Sequence, residues 1–197
     1  MIEIKHPEWL HVEKNKHIYY GYDQEWYRNF WRRKAGCGPT CATMHLTYLN
    51  RRNQLSMPYT NDNYDQVVAS MNNVWHYITP GLHGLNTLEL FENGYLKIAG
   101  KYKLLLTPHK LDMKLEQLPS IDTVTDFIAE AIRQDTPVAF LNWHNGDIPV
   151  LDSWHWVLII GIDECTVICY DQGQRISFDI GKWLEKTEKG GGLIYLS

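Results

Sequence analysis

The chain has 197 residues, of which 44% are apolar and 13% aromatic, and 19 Lys and Arg stand against 23 Asp and Glu for a net charge of −4. That length suits one domain spanning residues 1–197, and the apolar share supplies one substantial core, which excludes a disordered chain. The acidic balance speaks against a nucleic-acid partner, and no apolar run approaches the roughly 18 residues that a membrane span needs.

Residues 1–35 read as irregular structure rich in rings, and Tyr19, Tyr22, Trp26, Tyr27 and Trp31 must find a groove in the rest of the domain. Glu3, His6, Glu8 and His11 interrupt any apolar stretch, so no signal or targeting segment is expected there. The one basic cluster, Arg32-Arg33-Lys34, is expected to be a solvated loop before a helix. That helix starts near Gly38-Pro39, because proline suits the first helical turn, and Cys41, Met44, His45, Tyr48 and Leu49 then recur on one face.

A second helix is expected from Asn61 to Tyr77, stopped by Pro80-Gly81, and a short one around Thr87 to Glu92. Lys101 to Leu106 reads as a strand. Ser120 can cap a helix from Ile121 to Gln134, which Asp135-Thr136-Pro137 ends. Strands follow at Val138 to Trp143, Trp154 to Ile162, Thr166 to Tyr170, Arg175 to Phe178 and Leu193 to Leu196, with turns at Asn145-Gly146-Asp147 and Gly173 and a helix at Ile180 to Lys186. Helices first and antiparallel strands second predict an α+β fold.

The chemistry centres on Gly36-Cys37-Gly38-Pro39-Thr40-Cys41. A cysteine at the mouth of a helix points its sulfur at unpaired N–H groups, and the positive helix end favours the nucleophilic thiolate. Gly36 and Gly38 let the chain turn sharply and leave room for a substrate, and the Cys37 N–H can serve an oxyanion hole. A buried structural cysteine would fit the same spacing. Cys41, one turn further in, reads as packing.

A cysteine nucleophile needs a base, and nine histidines are available. His155 interrupts the apolar strand Trp154-His155-Trp156-Val157-Leu158-Ile159, and a rigid strand fixes an imidazole as a general base requires. A core histidine bonded to a carbonyl is the structural alternative. Trp154 and Trp156 either line the cleft or pack in the core. The imidazole needs an orienting group, and Asp171, sixteen residues on at the end of the next strand, can return beside it, with Asp163 as the rival.

Gly-Cys-Gly-Pro-Thr opening a helix, Trp-His-Trp-Val entering a strand and an acid after the next strand resemble the papain-like cysteine peptidase superfamily. The nearest branch is the bacteriocin-processing, double-glycine leader peptidase group. The resemblance runs from about Gln24 to Asp171. It implies a papain-like fold, with a helical N-terminal half packed on a C-terminal antiparallel sheet. It also implies Cys37 as nucleophile, His155 as base, Asp171 as orienting acid and Gln24 as the second oxyanion donor. Gln24 lies thirteen residues before Cys37, so residues 25–36 must loop out and return. The family commonly has proline after the acid, where this chain has Gln172.

The function these features predict is a bacterial cysteine hydrolase without cofactor, acting on a peptide or small amide through an acyl-enzyme. An acyl transferase and a binding module that has lost turnover are the alternatives within the fold. A thiolate metal site built from Cys37, Cys41, Cys165 and Cys169 is the alternative outside it. A chain this long needs no disulfides, so reduced thiols in a cytoplasm are expected.

Overall fold

The computed structural model describes all 197 residues. It is an α+β fold of six helices and a seven-stranded sheet in which every pairing is antiparallel. In chain order these are β1 Ile2–Glu3, β2 His11–Lys14, β3 His17–Tyr20, α1 Phe30–Ala35, α2 Cys37–Arg52, α3 Tyr64–Trp75 and α4 Leu88–Tyr102. There follow β4 Pro108–Met113, α5 Ile121–Arg133, β5 Val138–Asn142, β6 His155–Asp163, β7 Thr166–Asp171, β8 Gln174–Asp179, α6 Ile180–Lys186 and β9 Gly191–Leu196. The large sheet runs β4-β9-β5-β6-β7-β8, with β1 on β6, and β2 and β3 form a separate hairpin. No helix is long and apolar enough to cross a membrane.

Helix α2 is buried from Gly38 to Leu49 and packs on β6, so a single cluster of 53 buried residues joins the helical half to the sheet. Four polar residues, Thr40, Thr43, His45 and Thr47, are buried in α2. Thr43 returns its hydroxyl to the Pro39 carbonyl at 2.6 Å, and His45 meets the Tyr95 hydroxyl at 2.7 Å. Helices α3 and α5 start on side-chain caps, where Asn63 accepts from Gln66 N–H and Ser120 from Thr123 N–H.

Three expectations are corrected. The first 35 residues are not irregular: they hold β1, the β2–β3 hairpin and α1. The hairpin turns on Asn15 and Lys16, both at positive φ, where a glycine signal is missing. Arg32-Arg33-Lys34 lies on α1 and is not a loop. The expected strand at Lys101 to Leu106 is the end of α4 and the loop beyond it. Leu88, Phe91, Tyr95, Ile98 and Ala99 continue one buried stripe straight through Gly94, which is small because a Cβ there would lie 2.3 Å from Ile78. The strand comes later, as the half-buried edge β4.

Candidate active site

Cys37 is the first residue of α2, where the helix leaves its N–H groups without intrahelical partners. Both flanking glycines are buried and neither has positive φ. Their lack of a side chain makes room for the protein itself. A Cβ on Gly36 would lie 2.3 Å from the Arg32 carbonyl and 2.8 Å from the Tyr27 ring, and one on Gly38 would lie 2.6 Å from Leu85. Tyr27 and Leu85 thus fill the space that a side chain at Gly36 or Gly38 would need.

Only two of the histidines are buried, His45 and His155. His45 faces Tyr95, and burial lowers its pKa to about 3, so it stays neutral. His155 opens β6 and shares a small chamber with Cys37, Gln24, Thr40, Trp156 and Asp171. Its Nε2 donates to Asp171 Oδ1 at 2.7 Å, with the two side chains 7% and 10% exposed. A carboxylate only accepts, so Nε2 carries the hydrogen and Nδ1 is the nitrogen left for the Cys37 sulfur. Burial opposes a charge on the ring, but the bond to Asp171 and the adjoining Cys37 outweigh it and hold its pKa well above the usual histidine value.

Asp171 ends β7 at a two-residue turn whose residues, Gln172 and Gly173, have φ of 47° and 73°. Proline has φ near −65° and cannot occupy the first position, which accounts for Gln172 after the acid. The Gln172 amide donates to Asp152 at 2.8 Å, tying the turn to the segment that leads into His155. Gly173 exchanges backbone bonds with Tyr20 and Tyr22, which ties it to the segment leading into Gln24. Asp163, the rival acid, lies at the far end of β6, exposed and paired with the N-terminal amine at 2.6 Å.

Gln24 begins a single 3-10 turn capped by Asp23, and α1 is the excursion that carries the chain out and back to Cys37. One Gln24 amide hydrogen goes to the Arg33 carbonyl at 2.8 Å and its second hydrogen remains; its buried Oε1 has no partner. Four sequence-predicted residues, Cys37, His155, Asp171 and Gln24, thus line one chamber.

The two tryptophans separate. Trp156 is buried, stacks on Phe91 at 4.1 Å and donates its indole N–H to the Leu85 carbonyl at 2.5 Å. It forms a wall of the chamber and anchors the chain at Leu85. Trp154 is 54% exposed, has φ +58° and lines the outer cleft. A left-handed conformation costs a bulky residue about 1–2 kcal/mol, so local preference did not select it.

The chamber holds only about 10 Å³, room for a water at most, whereas Cys37 also borders a cavity of about 230 Å³. Sequence reasoning missed its roof. Gly81 and Gly84 exchange two 3.1 Å backbone bonds and put Leu82 and His83 at the tip of a flap over the cleft. Trp156 holds that flap at Leu85, and Trp143 donates to the Asn86 carbonyl at 3.0 Å. The closely spaced Pro80, Gly81 and Gly84 signal a turn, but nothing local says what it covers.

No cluster of three or more His, Cys, Asp or Glu is arranged to hold a metal ion, and all four cysteines are free thiols. Compared with protein-family models and with curated proteins, the sequence matches none.

Proposed function

We propose that this protein is a cysteine-dependent hydrolase of papain-like fold, a peptidase or amidase working through a thioester acyl-enzyme. The observation that carries the reading is the convergence in one chamber of a thiol at a helix mouth and a buried imidazole oriented by a carboxylate.

His155 Nδ1 takes the thiol proton, and the sulfur attacks the substrate carbonyl to form a C–S bond. The carbonyl electrons move to oxygen, where the Cys37 N–H and the free Gln24 amide hydrogen are the available donors, each worth about 3–4 kcal/mol in such a hole. As the carbonyl re-forms, the C–N bond breaks and His155 returns its proton to the leaving amine. Water then attacks the thioester, giving its proton to His155, and the acid and free thiol are released. Asp171 keeps the ring in the tautomer that presents Nδ1 throughout.

Four free thiols suit a reducing compartment such as the cytoplasm. Intact-mass detection of an acyl adduct on Cys37 with peptide or amide esters tests the reading. Turnover retained by Cys37→Ala would sink it.

A further inference from the structure

The chain is acidic overall, yet the cleft beside the sulfur is not. Apart from Cys37, the only ionisable side chains lining the 230 Å³ cavity are Lys34 and His83. No carboxylate lines it. Lys34 is exposed and makes no hydrogen bond and no ion pair, its ammonium lying 5.8 Å from the Phe30 ring, whereas its two neighbours hydrogen-bond inside the fold. Arg32 donates to Asn72 and lies 5.1 Å from the Trp75 ring; Arg33 donates to the Tyr27 and Arg28 carbonyls and pairs with Glu25 at 3.5 Å. A lysine in the last turn also steadies the C-terminal end of α1, but that effect needs only its position along the helix, not its place on the cleft.

The rest of the wall is apolar, chiefly Trp31, Leu82, Leu85 and Trp154. Drug-sized ligands occupy pockets of about 300–1,000 Å³, so this space suits a single residue of a substrate. A neighbouring cavity of about 480 Å³ shares Trp154 and carries two lysines and two glutamates, a balance that favours neither sign.

From this asymmetry, and resting on the reading of Cys37 as nucleophile, we infer that the cleft selects a substrate with a carboxylate-bearing residue next to the scissile bond, with Lys34 as its counter-charge. A cation with no carboxylate partner beside an apolar cleft attracts an anionic group and repels a cationic one, more strongly at low salt. The inference makes Lys34 a specificity residue for an acidic peptide or amide.

The test uses two alkylating agents of nearly the same shape, neutral iodoacetamide and anionic iodoacetate. Each forms a carbon–sulfur bond at Cys37 and expels iodide. Rates at Cys37 are read by mass mapping on the full chain. In Lys34→Met the iodoacetate rate is expected to fall about fivefold or more while the iodoacetamide rate stays within about twofold. An unchanged ratio of the two rates would overturn the inference. If the ratio changes but the iodoacetamide rate also falls by more than about twofold, Lys34→Arg decides: a ratio returned to that of the parent supports the inference and one left at that of Lys34→Met overturns it. Failure of the hydrolase reading shows separately, as an iodoacetamide rate at Cys37 that His155→Ala leaves unchanged.

Discussion

Asp171 accepts its hydrogen bond from His155 across two strands whose register near the turn would have placed the side chains on opposite faces. There Ile162 pairs with Val167 and Gly161 with Ile168. Continued without a break, that pairing sets Asp171 opposite Leu158. Ile160 is instead the extra residue of a bulge, beyond which Ile159 pairs with Cys169. Asp171 then falls level with Val157, on the face that His155 shares, because a one-residue slip moves every side chain to the other face. On the other edge of β6 the Ile160 carbonyl accepts from Ile4 N–H at 2.9 Å, continuing the β1 pairing.

Asp171→Asn keeps the volume but can reverse the tautomer of the ring. We expect kcat to fall by about 10²–10⁴ with KM little changed, measured on any substrate that acylates Cys37. A variant as active as the parent would show that Asp171 does not act through His155.

The raised His155 pKa makes stability depend on pH. A raised folded-state value contributes stability fully below the unfolded value of about 6.5 and loses it as the pH rises through the folded value. The unfolding free energy of the parent minus that of His155→Gln should be flat below about pH 6.5 and shrink above it. Urea titrations at a series of pH values test this; a difference that grows with pH would refute the assignment.

Trp154→Gly separates strain from binding. Glycine adopts φ +58° without the penalty of about 1–2 kcal/mol, which offsets the loss of the half-covered indole and its contact with the Lys189 ammonium, so the variant should stay within about 1 kcal/mol of the parent. Its KM should rise, because the cleft loses an apolar wall. Thermal melts and steady-state kinetics on the same sample check both.

Two glycines within α4 should respond in opposite directions to alanine. At Gly100 a Cβ meets nothing within 4 Å, and the better helix propensity should add about 0.5–1 kcal/mol. At Gly94 the Cβ would meet Ile78 at 2.3 Å, and overpacking should cost about 1–3 kcal/mol. Denaturant midpoints of the two variants decide it.

What the sequence determined by itself was local. The start of α2 at Cys37-Gly38-Pro39, the span of α5 behind Ser120 and the run of back-half strands follow from capping, proline placement and periodicity, all of which act within a few residues. Those same rules make Cys37, His155 and Asp171 chemically conspicuous. The tertiary structure alone decided where they face. Whether Asp171 reaches His155 depends on one extruded residue in β6. Gly36 and Gly38 are small because of Tyr27 and Leu85, and Trp154 and Trp156 part company through a positive φ and a hydrogen bond to the distant flap. Contacts between residues far apart in the chain set these features, and no local preference encodes them.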